Sequence, residues 1–229
     1  MHKGWIIRSA VCSLSSYSWL KIFNAENFKI CGVDITDWCK DINLFDDFLK
    51  VKKASHENET DVVYDFQKLV KKYNPLWIIS GPENEIELLL KHEKDFLDLG
   101  TALFHPPLET VELIKNKFKM YQFLNDKIIK FKIPPFSLLS NFNTDKVLSS
   151  ISQFIVKPCE GRGSSDVYIV KNQNDLYNVF NLIDSKNNGV IDRYIIQEFI
   201  NGIEISVDVL FDGNGNLLSF VPRKRILTE

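Results

Sequence analysis

The chain lacks the sequence signals of a metal-binding or disulfide-rich protein. Its 229 residues include four cysteines and four histidines, with no CxxC spacing and no histidine cluster. This pattern argues against a zinc site and is typical of reduced thiols in a cytoplasmic protein. We interpret Cys159, beside a glycine-rich turn, as a half-buried inert thiol rather than a reactive one. The cysteines are Cys12, Cys31, Cys39 and Cys159.

Long apolar runs and a strong net charge are also missing. The first residues form too short an apolar stretch for a signal peptide, and no later stretch approaches the length of a membrane span. The net charge of −2 and the pI near 6.1 give no general attraction to nucleic acid or to an anionic membrane. Lysines and aromatics are interleaved from Lys115 to Lys132. This pattern fits either a nucleic-acid patch or an amphipathic helix whose aromatics face the core and whose lysines are mostly solvated. We favour the helix, so neither nucleic acid nor a membrane is an expected partner.

The first half of the chain alternates strand-like apolar runs with helix-like segments. Such alternation predicts an α/β fold with parallel strands joined by helical crossovers. The charged stretch 50–60 lacks a period and is predicted to be a surface loop. The predicted strands are Trp5–Val11, Phe28–Ile35 and a strand at Trp77, and the predicted helices are Tyr17–Phe23 and Val62–Tyr73.

A dinucleotide-binding domain is one alternative for this half. Asp34 ends the second predicted strand, where an acidic residue would hold a ribose. The first turn, however, runs from Cys12 to Ser16 and contains no glycine, whereas this class of site needs GxGxxG. We therefore set the dinucleotide hypothesis aside.

The last third of the chain combines a lysine with a glycine-rich turn. Lys157 closes the apolar strand Phe154–Lys157, so its ammonium leaves the sheet in a fixed direction. Gly161 and Gly163 let a ligand approach main-chain N–H groups, which form anion-binding concavities. The turn therefore suits a phosphate, although an ordinary hairpin turn has the same composition.

A second pair of apolar runs follows, interrupted at Gly202. Alternation along Ile203–Leu210 places Glu204 and Asp208 on one face. A carboxylate there could accept hydrogen bonds from ribose hydroxyls, while main-chain groups near Glu198 could pair with an adenine edge. The alternative is a meander whose polar face is only solvated.

In this order, the segments VKPCEGRGSSDV, IIQEFINGIEISVDVL and DGNGNLLSFVPRKR resemble the ATP-grasp fold, in the branch of the carbamoyl phosphate synthase large subunit. The segment WIISGPENE and the stretch from Asn116 to Leu124, which leads to Ile133–Pro135, also resemble this branch. The resemblance covers nearly the whole chain and implies three parts. They are a Rossmann-like pre-ATP-grasp domain at 1–112 and the two subdomains of an α+β ATP-grasp domain, the N-terminal one at 113–193 and the start of the C-terminal one at 194–229.

The resemblance also implies an ATP site. Lys117 and Lys157 would contact the phosphates, with Lys119 as an alternative to Lys117. Arg223 and Arg225 would be the catalytic pair facing the reacting phosphate or an acidic substrate, since a guanidinium holds two oxygens at once. A solvated basic strand end is the alternative for the arginines. The implied nucleotide-binding residues are Lys117, Lys157, Gly161, Arg162, Gly163, Ser164, Ser165, Gln197, Glu198, Phe199, Ile200 and Glu204.

The implied activity is an ATP-dependent ligase that activates a small carboxylate as an acyl phosphate and passes it to an amine or a thiol. The family's other cofactor is Mg²⁺, but its acidic and asparagine ligands are expected beyond Glu229, so no metal ligand is assigned in this chain. Asp166 departs from the family pattern by placing a negative charge near the phosphates. The competing hypothesis is a non-catalytic nucleotide-binding or assembly subunit, or a fragment, that a partner subunit or a second copy completes.

Overall fold

The structure is a computed structural model that describes residues 2–13, 16–38, 42–127, 132–142, 153–161, 165–187 and 190–226. The chain divides into two compact units, residues 1–114 and 115–229. The boundaries 1–112, 113–193 and 194–229 stay a prediction. No helix in the described ranges is long and apolar enough to cross a membrane.

A five-stranded parallel sheet forms the centre of the first unit, as the alternation of strands and helices predicts. Its strand order is β3-β2-β1-β4-β5, and every neighbouring pair is parallel. The chain therefore reverses its direction of travel across the sheet between β1 and β4, which is the switch point where α/β sheets bind ligands. The strands are β1 (Trp5–Ser9), β2 (Lys29–Asp34), β3 (Asp47–Lys50), β4 (Trp77–Ile79) and β5 (Ala102–Leu103).

Helices cover both faces of this sheet. Consecutive residues of β1 belong to different apolar clusters: Ile7 packs with Phe66, and Ile6 packs with Leu20. A strand buried on both faces explains the unbroken apolar runs in the sequence. The helices are α1 (Ser16–Ala25), α2 (Glu59–Tyr73), α3 (Glu83–Lys91), α4 (Glu93–Asp98) and α5 (Leu108–Lys115).

The prediction that 50–60 is a surface loop is correct in part, because residues 51–55 form no helix or strand and Lys52, Lys53 and Ser55 are exposed. The rest of the stretch departs from it. Val51 and Ala54 are buried, and α2 begins at Glu59. The apolar stripe of α2 continues to Tyr73, after which Asn74 adopts a left-handed conformation with φ of 46° and ends the helix. Because most residues of this stretch are charged or polar, the sequence pattern did not reveal that Val51 and Ala54 pack on the core of the first unit.

The second unit contains a four-stranded antiparallel sheet with the order β6-β9-β7-β8. Helix α7 (Gln173–Asn187) supplies Leu176, Val179 and Ile183 to the apolar cluster that covers one face. Helix α6 (Lys117–Asp126) contacts β6 through aromatic side chains. The strands are β6 (Phe136–Leu138), β7 (Phe154–Pro158), β8 (Tyr168–Val170) and β9 (Tyr194–Glu198).

The predicted amphipathic helix between Lys115 and Lys132 corresponds to α6, and the preceding helix α5 ends at Lys115. Of its aromatics, Phe118 and Tyr121 are half-buried, whereas Phe123 is exposed. The expectation that all these aromatics face the core was therefore wrong for Phe123, whose ring instead lies under Lys127.

A separate two-stranded hairpin ends the described chain. Strand β10 (Ile205–Phe211) pairs with the antiparallel strand β11 (Leu217–Lys224). Apart from the half-buried Ser206, every residue of both strands is exposed. A hairpin with two uncovered faces is only marginally stable in water by itself.

Candidate functional site

Lys157 lies at the end of β7, where the sequence predicts a phosphate-binding ammonium. Its Nζ is 3.5 Å from the Tyr121 hydroxyl and 5.4 Å from the centre of the Tyr121 ring. Tyr121 is in turn packed against Phe136 with ring centres 5.2 Å apart. The aromatic side chains of α6 and β6 thus hold the lysine in one position while its cationic end stays half-exposed.

Lys117 begins helix α6 and reaches the same end of β7. Its main-chain N–H donates to the Cys159 carbonyl at 2.8 Å, and its Nζ donates to the Gly161 carbonyl at 2.8 Å. The helix start is fixed by Asn116, whose side chain accepts from the Lys119 N–H at 3.1 Å. Lys117, which the sequence analysis favours over Lys119, therefore contacts the described start of the glycine-rich turn.

The turn itself is described only at its two ends. Gly161 has a φ of 142°, a conformation that favours glycine. Ser165 is exposed, and Asp166 accepts a hydrogen bond from the Tyr168 hydroxyl at 3.0 Å. This bond gives the unexpected acidic residue a partner on β8. The predicted contacts Arg162, Gly163 and Ser164 lie outside the described residues.

Strand β9 brings the predicted adenine-contacting segment beside β7. The N–H groups of Glu198 and Phe199 donate to the carbonyls of Pro135 and Gln153, each at 3.0 Å. These bonds fix the strand end, while Ile200 beyond it is 59% exposed. Gln197 is buried, and its Oε1 has no hydrogen-bond partner in the described part of the chain.

The register of β7 and β9 sets the distance between the two predicted subsites. Phe154 lies opposite Glu198, and Lys157 lies opposite Ile195. Three residues along a strand span about 10 Å, which is comparable to the reach from the base to the phosphates of an extended nucleotide. The sheet therefore spaces a base-binding edge and a phosphate-binding ammonium suitably for one ligand.

The remaining predicted residues form a second group on the hairpin. Arg225 Nη1 contacts Glu204 Oε1 at 2.6 Å, so the predicted ribose carboxylate pairs with one predicted catalytic arginine. Arg223 holds both oxygens of Asp208, at 2.6 and 2.7 Å. Both pairs are largely exposed. They position the guanidinium groups but leave them open to exchange with a ligand's oxygens.

A cavity of about 810 Å³ lies next to the first group and was not predicted from the sequence. Its position follows from the elements that meet there, namely the start of α6, the end of β7 and the segment before β9. Charges of both signs line it, which suits a polar ligand with several hydrogen-bonding groups. Its lining residues are Asn116, Phe118, Lys119, Leu138, Pro158, Cys159, Glu160, Ser165, Asp166, Val190, Asp192, Arg193 and Tyr194.

Cys159, in that lining, has the environment of an inert thiol. It is 5% exposed, and burial raises its pKa. A raised pKa reduces the reactive thiolate at neutral pH. Cys31 is also buried, with a pKa of about 12, again because of burial. Cys39 lies outside the described residues.

The first unit contains a buried polar cluster that the sequence analysis missed. Arg8 Nη1 donates to the Ile79 carbonyl at 3.0 Å, and the Ser80 hydroxyl donates to the Glu85 carboxylate. His105 Nε2 accepts from the Ser80 N–H at 2.9 Å, and burial with the nearby Arg8 charge lowers its pKa to about 4. Burial raises the pKa of Glu85 and lowers that of Arg8. The sequence signal that could have indicated this cluster is Arg8, a charged residue within the apolar run of β1.

Asp34, the acidic residue of the discarded dinucleotide hypothesis, forms hydrogen bonds with main-chain groups of the protein. Its Oδ2 accepts from the Cys12 N–H at 3.0 Å, and its Oδ1 accepts from the Thr36 N–H at 3.3 Å. The carboxylate therefore organises the turns after β1 and β2. Within the described part of the chain, no group of three His, Cys, Asp or Glu side chains is arranged to hold a metal ion.

Comparison with known families decides among these interpretations. The family model for the ATP-grasp domain matches residues 114–229, just over half of the chain. The chain belongs to the ATP-grasp family. The ATP-grasp match includes both groups of predicted site residues, so the family expectation is confirmed for the second unit.

Individual relatives agree with this assignment. A formate-dependent phosphoribosylglycinamide formyltransferase from Prochlorococcus marinus (strain MIT 9301) is 28% identical over 137 residues, which are 59% of this chain and 34% of the relative. An N5-carboxyaminoimidazole synthetase from Staphylococcus aureus, complexed with ADP, has a TM-score of 0.69 at 16% identity, over 99% of this chain and 55% of its own. An L-amino acid ligase from Bacillus licheniformis has a TM-score of 0.68 at 15% identity, over 98% and 51% of the two chains.

The structural likenesses show a shared fold, because their sequence identities are low. They extend over nearly all of this chain, including the first unit that the family model does not match. The chain spans between a third and somewhat over half of the length of these relatives.

Proposed function

We propose that this protein is an ATP-dependent ligase that joins a small carboxylate to an amine or a thiol through an acyl phosphate. The observation that carries the proposal is the joint placement of Lys117 and Lys157 at the end of β7, about 10 Å along the strand from the segment around Glu198. Membership of the ATP-grasp family supports it, as do relatives named as a formyltransferase, a synthetase and an L-amino acid ligase.

The motif order further suggests the carbamoyl phosphate synthase branch. The resemblance also suggests that the first unit is a pre-ATP-grasp domain. The carboxyl ends of β1 and β4, beside Ser80 and Glu85, are then the candidate substrate side.

In the proposed reaction, a carboxylate oxygen attacks the γ-phosphorus of ATP and ADP leaves. The amine or thiol then attacks the acyl carbon, and inorganic phosphate leaves. Lys117 and Lys157 would neutralise the charge on the phosphates, which lowers the barrier to phosphoryl transfer mainly by electrostatics. Glu204 would accept from the ribose hydroxyls. Arg225 would then turn from Glu204 toward the transferred phosphate or the substrate.

Magnesium, the family's expected partner of ATP, supplies charge neutralisation between the phosphates when bound. The described residues offer no cluster of three suitable ligands, so we assign no step of this chain's mechanism to the metal. Lys117, Lys157 and the two arginines are the positive charges of this chain to which we assign a role in the reaction.

Calorimetric titration with a non-hydrolysable ATP analogue tests the proposal. Lys157→Ala removes the fixed ammonium and should weaken binding roughly tenfold to a hundredfold, because a hydrogen bond to a charged group is worth about 1.5–3 kcal/mol. Lys171→Ala, at an exposed lysine of the same unit, is the matched control and should bind like the wild type. An unchanged Kd in a folded Lys157→Ala protein would exclude the assigned role.

The exposed hairpin favours a second candidate, a nucleotide-binding or assembly subunit without catalysis of its own. Ile205, Val209 and Phe220 are each more than half exposed and lie on one face of the hairpin. An exposed apolar patch of this kind favours burial against another protein surface. This candidate expects nucleotide affinity that scarcely changes with added magnesium. Titration with and without Mg²⁺ separates it from the ligase, which should bind the nucleotide more tightly with the metal present.

A further inference from the structure

The Lys157 ammonium is held by a neutral side chain rather than by a carboxylate. Its Nζ donates a long hydrogen bond of 3.5 Å to the Tyr121 hydroxyl and lies 5.4 Å from the centre of the Tyr121 ring. In the described part of the chain, this Nζ has no ion pair and no second acceptor. An ammonium carries three N–H donors, so two donors and the full positive charge of this half-exposed residue are available to a ligand.

The arginines of the hairpin have the opposite arrangement. Arg223 is paired with Asp208, and Arg225 is paired with Glu204, each at 2.6 Å. A carboxylate partner offsets the positive charge and competes with an anionic ligand for the same donors. A phenol accepts one hydrogen bond through a neutral oxygen and attracts the cation through the face of its ring. Tyr121 can therefore fix the position of the lysine without offsetting its charge.

The pairing of the strands explains why Lys157 meets this tyrosine. Lys157 lies opposite Ile195 on β9, and Ile195 lies opposite Leu138 on β6, so the three residues share a face of the sheet. Phe136 is two residues from Leu138 and lies on the same face. The Tyr121 ring packs against Phe136 with centres 5.2 Å apart. The contact between the lysine and the tyrosine therefore follows from the strand register and the packing of α6.

Helix α6 links Tyr121 to the second predicted phosphate contact. Lys117 lies four residues before Tyr121, so both side chains are on one face of the helix. Lys117 Nζ donates to the Gly161 carbonyl at 2.8 Å. One face of α6 thus supplies a lysine that contacts the glycine-rich turn and a tyrosine that contacts the other lysine.

On the basis of the proposed nucleotide site, we infer that Tyr121 is a positioning residue that raises the affinity of Lys157 for phosphate. A lysine side chain is long and flexible, so an ammonium that moves freely loses rotational freedom when it binds a phosphate. Tyr121 restricts this freedom before the ligand arrives. A preorganised group binds more tightly because less entropy is lost on binding.

Calorimetric titration with the non-hydrolysable ATP analogue tests this inference. Tyr121→Phe keeps the ring and removes the hydroxyl, and it should weaken binding about two- to tenfold. Tyr121→Leu also removes the ring and should weaken binding by about a further twofold or more. Phe123→Leu is the matched control, because it removes an aromatic contact with a lysine, Lys127, from an exposed position of the same helix. It should bind like the wild type.

A double-mutant cycle separates positioning from a general effect on packing. If Tyr121 acts through Lys157, then Tyr121→Phe should change the Kd by less than about twofold in a Lys157→Ala protein, since the side chain that it positions is gone. Thermal unfolding of each variant shows that it is folded at the temperature of the titration.

Two results would overturn the inference while leaving the nucleotide site intact. One is an unchanged Kd for Tyr121→Phe, and the other is an equal loss of affinity from this change with and without Lys157. A Lys157→Ala protein that binds as tightly as the wild type would instead refute the phosphate role of Lys157, and the role of Tyr121 with it. A wild-type protein that does not bind the analogue would refute the nucleotide site as a whole.

Discussion

His105 gives the clearest expectation for a single residue, because its imidazole must stay neutral in the folded protein. Its pKa is lowered to about 4 by burial and by the nearby Arg8 charge. An unfolded histidine titrates near 6.5, so the unfolded chain binds more protons between these two values. The stabilising contribution of His105 is therefore complete above about pH 6.5 and is lost as the pH falls toward about 4.

The measurement is the pH dependence of urea unfolding, followed by tryptophan fluorescence. All four tryptophans, at positions 5, 19, 38 and 77, belong to the first unit, so the signal reports its unfolding. Glu85 titrates with the opposite sign because its pKa is raised, and comparison with His105→Gln removes its contribution. As the pH rises from about 4 to about 6.5, the unfolding free energy of the wild type should increase relative to that of the variant by roughly 1–3 kcal/mol. A constant difference would mean that His105 does not titrate as described.

The polar cluster around His105 could not be predicted from the amino-acid sequence. Arg8, Glu85 and His105 are far apart in the sequence and meet only because β1, β4 and β5 are neighbours in the sheet. The phosphate-binding role of Lys117 and Lys157 stays a prediction, but their common location at the end of β7 was predictable because a family pattern links them. The pairing of Glu204 with Arg225 was not, since alternation gives the face of a strand but not the partner across it.

Helix α6 carries Lys117 into the site, and its start should depend on Asn116. The Asn116 side chain accepts from the Lys119 N–H, and its amide donates to Glu160 at 3.2 Å. Replacing such a cap by alanine costs about 1 kcal/mol of helix stability. Asn116→Ala should therefore speed hydrogen exchange of the α6 amides several-fold and weaken ATP-analogue binding.

Asn116→Ser is the matched control, because serine caps a helix about as well as asparagine. It should retain slow exchange in α6 and differ from the wild type only through the lost contact with Glu160. Equal exchange rates in the alanine and serine variants would show that the cap does not limit the opening of this helix.

The elements themselves were predictable where the apolar period is long. The strands at Trp5, Phe28 and Trp77 and the helix ending at Tyr73 lie where the pattern places them, with ends shifted by a few residues. The two-residue strand β5 and the edge strand β3 were missed because neither is long enough to show a period.

Taken together, the two units differ in how completely their apolar surface is covered. The parallel sheet of the first unit is buried on both faces, whereas the β10–β11 hairpin of the second is exposed on both. The pairing register sorts the hairpin into a polar face with Asp208 and Arg223 and an apolar face with Val209 and Phe220. Burial of this apolar face favours association.

We therefore expect the 229-residue protein to associate at micromolar concentration through this apolar face. Val209→Lys places a charge in its centre, opposite Phe220, and should shift the protein toward a monomer in sedimentation velocity. Val221→Lys introduces the same residue opposite Asp208 on the polar face and should leave association unchanged. Since Val209 and Val221 are each 53% exposed, neither change disturbs a packed core. A wild-type protein that stays monomeric, or two variants that behave alike, would show that the hairpin face does not drive association.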